Sequence, residues 1–418
     1  MIKGAKTRDA NGNGVAAGRF VCVFNRHCDE YQVALALEEA GLLECLVTDF
    51  YAPGGPVRRV LPRFLRRRSV PGLPPERTRS VLSSFLLQAL GQMLRVPMLR
   101  MFAFTDALLA RAAGRMADQQ GQALYCYHNY IPRKIPAGAP LILFVYHPRR
   151  KADHAVLVED ARRFPEVARS LQDETLALET HEPPIDWGRP DGVVCASTFT
   201  ARSVIEDGCD PERITVIPYG APCPPLAVDP ARRDGAARFL FVGQGCQRKG
   251  LHHLIRAWQA VPREGAELLI VSYAMDPQIA ALIEAPGIRV LGHQSREELD
   301  RLFGDADVFV MPSLVEGFGL VYQEALSSGC HLIGTANIGL PDLHLPAGSV
   351  TLVDPGDLDD LSAAIDRCIT VIGQGGYDRA AIAACAATWI RSDFRTAIAD
   401  HARSVLENHP RAQLAKTA

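Results

Sequence analysis

The sequence predicts an α/β protein with two domains, each built around a parallel β-sheet. Strand–helix–strand units recur in both halves, which is the pattern of parallel sheets covered by helices. A proline-rich stretch at residues 218–225 separates the two series of units, and 418 residues exceed what one hydrophobic core usually holds. We therefore expect a disordered tail at residues 1–18, an N-terminal domain at 19–218, a C-terminal domain at 219–390, and a helix at 391–418 that crosses back to the N-terminal domain.

The N-terminal half begins with a complete strand–helix–strand unit. Residues 20–24 form an apolar strand, a helix with apolar positions at Val33 and Leu37 follows, and residues 46–49 form the second strand. Further strands are predicted at residues 124–127, 141–146, 193–197 and 214–218, with a helix at 198–208. His147 directly follows one of these strands, at the end where open α/β sheets collect ligands. His147 is therefore a candidate site residue, and a hydrogen-bonded loop histidine is the alternative. Several of the acidic residues that follow are interspersed with arginine, and they are interpreted as solvated helix faces: Glu159, Asp160, Asp173, Glu174, Glu179 and Glu182.

The C-terminal half repeats this alternation. Strands are predicted at residues 238–242, 267–271, 288–291, 306–311, 331–334 and 350–353, and helices at 251–260, 296–303 and 357–371, with a final helical region at 377–408. A glycine-containing turn at 243–250 joins the first strand to its helix and carries Arg248 and Lys249. Backbone amides at a helix N-terminus beside two cations suit a diphosphate, although the turn matches neither the Walker A nor the GxGxxG pattern.

A second strand–turn–helix unit surrounds Glu316. Gly317 and Gly319 leave the turn's backbone amides uncovered at the start of a helix, where an anion is favoured. A second acid, Glu324, follows eight residues later, a little over two helical turns on. Because the two carboxylates do not share one helix face, they predict two separate contacts along an extended ligand.

Composition and charge exclude several classes of function. The net charge is −2, from 45 basic and 47 acidic residues, which argues against bulk nucleic-acid binding. Eleven cysteines occur singly, without a CxxC pair, so neither a disulfide framework nor a zinc site is indicated and a reducing cytoplasm is favoured. The sequence Asp305-Ala306-Asp307 precedes a strand, away from the expected site, so no metal is expected. No apolar run reaches the roughly 18 residues of a membrane span.

An arginine-rich segment stands out in the N-terminal half. Ten arginines occur between residues 57 and 100 against a single acid, Glu76, and the part from Arg58 to Arg68 mixes arginine with apolar residues. This pattern predicts peripheral contact with an anionic membrane or an anionic acceptor, and its alternative is a solvated basic loop. Aromatic residues that stack on bases are sparse here, so nucleic acid is not expected. The expected location is cytoplasmic, with peripheral contact at the inner face of the membrane.

Several of these motifs together resemble the retaining glycosyltransferases of family 4. The turn at Glu316 with the second acid at Glu324 is similar to the E-x7-E motif of that family. Neighbouring patterns agree in order and spacing between residues 193 and 365: Val216-Ile217-Pro218-Tyr219-Gly220, Lys249-Gly250, Gly292, Pro312-Ser313 and Val353-Asp354-Pro355-Gly356-Asp357. The resemblance implies a GT-B fold, in which two Rossmann-like domains with parallel sheets face each other across a cleft. The donor would bind the C-terminal domain and the acceptor the N-terminal one.

The resemblance also implies roles for individual residues. Glu316 would contact the transferred sugar, Lys249 the diphosphate, and His147 would lie beside the reacting sugar, which makes these three the predicted catalytic residues. Glu324 would hold the ribose hydroxyls of a nucleotide-diphosphate-sugar. The other expected donor-binding residues are Arg248, Gly243, Gln244, Gly317, Phe318, Gly319, Leu320 and His293. Arg26 and His27 are the expected acceptor-side residues.

Two features depart from the family pattern. Gln244 stands where family members commonly carry an arginine, and Arg248 is expected to compensate. The first loop reads Asn25-Arg26-His27 where the family has a glycine-rich loop. The predicted function is metal-independent, retaining transfer of a sugar from a nucleotide-sugar co-substrate to a glycan, lipid-linked or small-molecule acceptor, with no cofactor. The alternatives are a non-catalytic partner subunit that binds nucleotide-sugar or glycan, and a nucleotide-sugar epimerase.

Overall fold

Two parallel sheets organise the molecule. The computed structural model describes residues 18–25, 29–221, 236–262, 265–284 and 286–410. Seven strands form the first sheet: β1 (Phe20–Val23), β2 (Leu43–Thr48), β3 (Thr78–Ser80), β4 (Ala123–Tyr127), β5 (Leu141–Val145), β6 (Gly192–Cys195) and β7 (Ile214–Val216). Six strands form the second: β8 (Ala237–Val242), β9 (Ala266–Val271), β10 (Ile288–Leu291), β11 (Val308–Val310), β12 (His331–Thr335) and β13 (Val350–Val353).

Both sheets have the same strand order, and this order locates their ligand-binding edges. The first sheet runs β3-β2-β1-β4-β5-β6-β7 and the second β10-β9-β8-β11-β12-β13, with neighbouring strands parallel. In each sheet the order reverses beside the first strand, between β1 and β4 and between β8 and β11. Ligands of open α/β sheets bind at such a reversal, outside the carboxyl ends of the strands. The predicted fold of two parallel α/β domains is confirmed.

Helices cover both sheets. The N-terminal half contains α1 (Gln32–Glu39), α2 (Val57–Val60), α3 (Arg63–Arg66), α4 (Leu82–Met93), α5 (Met98–Gln120), α6 (Arg150–Arg163), α7 (Ala168–His181) and α8 (Thr198–Glu206). The C-terminal half contains α9 (Leu251–Ala260), α10 (Pro277–Ala280), α11 (Arg296–Asp305), α12 (Leu320–Ser327), α13 (Leu358–Gly373), α14 (Arg379–Cys385) and α15 (Arg391–Asn408). None of the helices in the described ranges combines the length and the apolarity needed to cross a bilayer.

The chain passes between the two domains twice, side by side. Ala221 donates its N–H to Trp389 O over 2.9 Å, and Arg391 returns an N–H to Ala221 O over 3.0 Å. A Cβ atom at Gly220 would lie 2.2 Å from Ile390 O, so this crossing requires glycine. Helix α15 then packs against α1 and buries Phe394 in the N-terminal core.

Sequence periodicity missed part of the N-terminal half. Helix α5, the longest in the described ranges, and its neighbour α4 occupy residues for which no helix was predicted. The acidic residues of α6 and α7 were interpreted as solvated helix faces. That interpretation is wrong for Asp160, which is 6% exposed, and for Glu174, which pairs with arginines from two elements.

Candidate functional site

The candidate site begins where the C-terminal sheet reverses its strand order. One loop leads from β8 to α9 and carries Arg248 and Lys249, and a second leads from β11 to α12 and carries Glu316. Because β8 and β11 are hydrogen-bonded neighbours, both loops emerge at the same sheet edge. The strand order therefore brings together residues that lie 67 positions apart in the sequence.

The two loops touch at a glycine. Gly250 has φ 68°, and a Cβ atom there would lie 2.0 Å from Pro312 O. Leu314 N–H also donates to Arg248 O over 2.9 Å. A side chain at position 250 would both strain the backbone and separate the loops, so glycine is required. This close approach fixes the cations of the first loop beside the acid of the second.

Glu316 is held by two cations. Its Oε2 accepts from Arg248 Nη1 over 2.9 Å and also contacts Lys249 Nζ, while all three side chains are only 13–16% exposed. Burial alone would raise the pKa of Glu316, but Lys249, Arg248 and then His147 lower it well below its usual range. The carboxylate is therefore ionised at neutral pH, and the site contains a buried anion between two cations.

His147 approaches this cluster from the other domain. It follows β5, and its Nδ1 lies 3.2 Å from Asp153 Oδ2, at the first turn of α6. The influence of His147 on the pKa of Glu316 places its ring in the electrostatic neighbourhood of that carboxylate. The three predicted catalytic residues therefore lie together in the cleft, although no two of them are neighbours in the sequence.

The domains are in direct contact at the Glu316 turn. A Cβ atom at Gly317 would lie 1.9 Å from Tyr146 O, so only glycine permits this approach. Gly317 O accepts hydrogen bonds from Ser197 Oγ over 2.7 Å and from Thr200 Oγ1 over 3.2 Å. Hydroxyls of the N-terminal domain thus orient the peptide that follows Glu316. Sequence reasoning missed Ser197 and Thr200, whose position next to β6 was the available signal.

Glu324 has different surroundings. It lies within α12, whereas Glu316 lies in the loop before that helix, and Glu324 Oε1 pairs with Arg296 Nη1 over 2.5 Å at the start of α11. The Glu324 side chain is 26% exposed and Arg296 is 48% exposed. The two acids therefore have separate cationic partners, as expected for two contacts along one extended ligand.

The other predicted donor residues lie in varied settings. Gln244 Nε2 donates to Tyr273 Oη over 2.7 Å, whereas His293 is an exposed side chain after β10. Phe318 is 4% exposed and packs edge-on against Tyr219, with ring centroids 5.6 Å apart, so only its backbone can face a ligand. Gly243 follows β8, and Gly319 has φ 87° directly before α12. Arg26 and His27 lie outside the described residues.

A cavity of ≈ 220 Å³ opens beside the start of α12. Its lining comes from the loop before α1 and α1 itself, from the two segments that connect the domains, and from the start of α12: Asp29, Glu30, Gln32, Tyr219, Gly220, Leu320, Arg391 and Phe394. Leu320, a predicted donor residue, is 39% exposed. The cavity therefore has both charged and apolar lining residues: Asp29 and Glu30 belong to the N-terminal domain, and Leu320 belongs to the C-terminal domain.

A second buried carboxylate, Asp160, lies between the domains. Its Oδ1 is 2.6 Å from His253 Nε2, and its Oδ2 is 3.0 Å from His252 Nε2 and accepts from Gln247 Nε2 over 2.9 Å. The ring of Phe164 packs on both imidazoles, at 5.5 and 4.7 Å between centroids. Asp160 belongs to α6 of the N-terminal half, and its partners flank Arg248 and Lys249. The cluster therefore fixes the cationic loop to the opposite domain.

Asp160, His252 and His253 are the one group in the described ranges whose atoms could surround a metal ion. Their Nε2 and carboxylate atoms already pair with each other at hydrogen-bond distances. Burial alone would raise the pKa of Asp160, but hydrogen bonds from His252 and His253 lower it well below the usual range. Hydrogen bonding thus accounts for this arrangement.

Glu174 makes a further contact across the cleft. Its Oε2 accepts from Arg150 Nη1 over 2.8 Å, and its Oε1 lies 3.8 Å from Arg248 Nε. Arg248 is therefore placed between Glu316 of its own domain and Glu174 of the other.

The fold and the cleft define a GT-B protein, with two parallel α/β domains that meet around a cluster of charged residues. Residues 236–370 match the family model described as "Glycosyl transferases group 1". The match lies within the C-terminal half of the chain, and it agrees with the resemblance found in the sequence.

Curated relatives match over part of their length. The MMP alpha-(1->4)-mannosyltransferase of Mycolicibacterium hassiacum is 29% identical over 249 residues, which cover 56% of this chain and 57% of that protein. The O-antigen chain mannosyltransferase B of Escherichia coli is 35% identical over 135 residues, 30% of this chain and 35% of that protein. The chain thus spans about half the length of the curated relatives it matches, or less.

Solved structures agree over the whole fold. A glycosyltransferase from Rickettsia africae has a TM-score of 0.60 at 14% identity, covering 94% of this chain and 100% of that one. Anabaena Alr3699/HepE in complex with UDP-glucose has a TM-score of 0.59 at 16% identity, covering 93% of this chain and 100% of that one. At such identities the likeness is one of fold.

Proposed function

We propose that this protein is a glycosyltransferase that moves a sugar from a nucleotide-diphosphate-sugar to an acceptor bound in the cleft. The observation that carries this proposal is the position of Glu316, which lies between Arg248 and Lys249 at the sheet's ligand-binding edge and faces His147 of the other domain. Fixed cations beside an orienting carboxylate are what departure of a sugar diphosphate requires, because negative charge develops on the leaving phosphate.

The donor takes over interactions that already exist in the free protein. Its diphosphate displaces Glu316 from Lys249 and Arg248, and the released carboxylate binds hydroxyls of the transferred sugar. Glu324 on α12 and its partner Arg296 at the start of α11 receive the ribose. UDP-glucose in the fold relative from Anabaena is an example of this donor class.

We further propose that the transfer retains the anomeric configuration and needs no metal ion. The departing phosphate accepts the acceptor's proton on the same face of the sugar, and Arg248 with Lys249 neutralises the charge that a metal would otherwise balance. His147 donates a hydrogen bond to the reacting sugar while Asp153 orients its ring. The acceptor, a glycan or a lipid-linked molecule, enters through the cavity beside Leu320.

The test combines binding with turnover. The purified protein is screened for thermal stabilisation by UDP, GDP, ADP and their sugar conjugates, and a ligand at about 100 times its Kd adds ~2.7 kcal/mol of stability. The stabilising donor is then incubated with acceptors in the presence of EDTA, and the anomer of the product is read by NMR. A retained anomer formed in EDTA is expected.

Three other outcomes contradict the proposal in different ways. Stabilisation without turnover indicates a non-catalytic subunit that binds the nucleotide-sugar. Conversion of the donor without any acceptor indicates an epimerase. Stabilisation by none of the nucleotides refutes the donor site itself.

A further inference from the structure

Exposed apolar side chains are concentrated in one part of the N-terminal domain. Sixteen large hydrophobic residues are exposed in the described ranges, and eleven of them lie between residues 57 and 104. Scattered apolar residues are normal on a protein surface, whereas a concentration of this kind marks an interaction site. The segment contains helices α2, α3 and α4 and the start of α5.

Helix α4 presents an apolar stripe to the outside. Leu82, Leu86, Leu90 and Met93 are between 45% and 73% exposed, and their spacing of four, four and three residues places them on one helix face. The helix Leu82–Met93 contains no charged residue. A surface helix normally carries charged or polar residues on its solvent side, so water is an unsuitable environment for this face.

A run of arginines precedes α4 in the chain, and its last member, Arg68, contacts the helix. Arg58, Arg59, Arg63, Arg66 and Arg67 are exposed on or next to the short helices α2 and α3. The following residue, Arg68, has its guanidinium 5.5 Å from the centre of the Phe85 ring on α4 and pairs with Asp49 over 2.5 Å. Arg68, which follows α3 in the chain, therefore contacts α4 directly. We call α2, α3 and the outer face of α4 the apolar–arginine surface.

We propose that the apolar–arginine surface docks the protein onto an anionic lipid membrane. The stripe of α4 enters the boundary between headgroups and acyl chains, and the guanidinium groups pair with lipid phosphates. Stable membrane attachment takes an apolar and an electrostatic contribution together, and this surface supplies both. The charge of the surface favours an anionic membrane over a second copy of the protein. Five exposed arginines without an acid on α2 and α3 would repel the same arginines of another copy.

The surface also borders the cleft. Arg63 and Arg67 interact electrostatically with Glu297, in the first turn of α11, one residue from the partner of Glu324. A membrane at the apolar–arginine surface is therefore close to the entrance of the candidate site. The acceptor class that fits is a lipid-anchored one, and this assignment, unlike the docking itself, rests on the proposed sugar transfer.

The test is co-sedimentation of the full-length protein with vesicles. Vesicles of phosphatidylcholine alone are compared with vesicles that also contain phosphatidylglycerol, at low salt and at about 0.5 M salt, where charges are screened within a few Å. We expect pelleting with the anionic vesicles at low salt and release at high salt. The double variant Arg59→Gln/Arg66→Gln is expected to weaken binding about 25-fold, from ~fivefold for each arginine near an anionic surface.

The apolar stripe is tested separately by Leu86→Ser/Met93→Ser. Because both side chains are exposed, the variant is expected to fold, to bind nucleotide as the parent does, and to lose membrane binding. Arg111→Gln/Arg115→Gln changes two exposed arginines of the same domain outside the surface and should leave binding unchanged. Equal pelleting of the parent with neutral and anionic vesicles, or none with either, would overturn the proposal. So would a concentration-dependent dimer that Leu86→Ser/Met93→Ser abolishes. Nucleotide binding in each variant separates these outcomes from failure of the donor site.

Discussion

Two buried carboxylates lie between the domains, and their partners differ in kind. Glu316 pairs with Arg248 and Lys249, which are long side chains with terminal charges. Asp160 pairs with two imidazoles and an amide that are sealed under Phe164. Burial opposes ionisation at both, and the partners lower both pKa values well below the usual range. A low pKa therefore does not distinguish a ligand-binding carboxylate from a structural one.

The difference lies in whether a ligand can replace the carboxylate. A diphosphate offers Arg248 and Lys249 the same charge-assisted contacts that Glu316 gives them, so exchange leaves no cation unpaired. The Nδ1 atoms of His252 and His253 are buried and have no hydrogen-bond partner in the described part of the chain, so no outside group reaches that cluster. We infer that the Glu316 cluster exchanges partners during binding while the Asp160 cluster holds the cationic loop in place.

The largest expected effect is that of Glu316→Gln on turnover. The amide keeps the size of the side chain but cannot bind the sugar hydroxyls as a charged acceptor, and loss of such positioning costs about 100-fold or more in kcat. Lys249 and Arg248 remain available to the diphosphate. We therefore expect nucleotide-induced thermal stabilisation to persist while sugar transfer, measured by release of the nucleoside diphosphate, falls by at least that factor.

Glu298→Gln is the matched control, because Glu298 pairs with Arg301 on the outside of α11. Its turnover should equal that of the parent. Unchanged turnover in Glu316→Gln would remove the functional half of the comparison and leave two structural carboxylates.

Asp160→Ala should affect stability more than chemistry. It leaves three donors without an acceptor: His252, His253 and Gln247. Breaking a buried charged network costs about 3 kcal/mol. We expect a lower midpoint of urea unfolding, with a raised KM for the donor because the cationic loop is released, and a kcat within a few-fold of the parent's.

Asp173→Ala provides the control for this variant, because Asp173 lies exposed on the neighbouring helix α7. It should unfold at the parent's midpoint. A large loss of kcat in Asp160→Ala at an unchanged urea midpoint would reverse the assignment, since Asp160 would then act in the reaction.

The sequence was sufficient for one cluster and not for the other. Glu316 and Lys249 were predicted because each belongs to a strand–turn–helix unit whose local pattern indicates an anion site, and because both resemble motif positions of the family 4 glycosyltransferases. Asp160 was interpreted as solvated, because α6 has charged residues on several sides and its burial arises only from docking against α9 of the other domain. Local periodicity describes one element at a time and contains no information on such docking.

The apolar–arginine surface is the converse case, in which residues expected to be buried are exposed. Its arginines were recognised from composition, but the exposure of Leu86 and Met93 was not, because apolar residues in a helix are ordinarily expected to be buried. The parallel sheets were predictable since buried strands leave continuous apolar runs. The sequence did not indicate which helix faces pack against the other domain and which stay exposed.

The smallest expected effect is a dependence of stability on pH that belongs to the Asp160 cluster alone. Arginine and lysine remain charged across the physiological range, whereas imidazoles titrate near pH ~6.5. Burial, together with the neighbouring His253, lowers the pKa of His252, and Asp160 and Glu166 only partly oppose this. The unfolded chain therefore binds a proton at His252 that the folded chain refuses, so this contribution to stability is present above pH ~6.5 and is lost as the pH falls toward the lowered pKa.

The measurement is urea unfolding of the parent and His252→Gln at pH values on either side of that range, such as about 7.5 and about 5.5. The parent should lose up to ~1 kcal/mol more than the variant on acidification, since each pH unit between the two pKa values is worth at most about 1.4 kcal/mol. Other buried histidines with lowered pKa values, His128, His331 and His401, are common to both proteins and cancel. His293→Gln, which removes an exposed imidazole, should follow the parent. Parallel losses in the parent and His252→Gln would mean that the Asp160 cluster is as insensitive to pH as the Glu316 cluster, and the distinction between their partners would no longer hold.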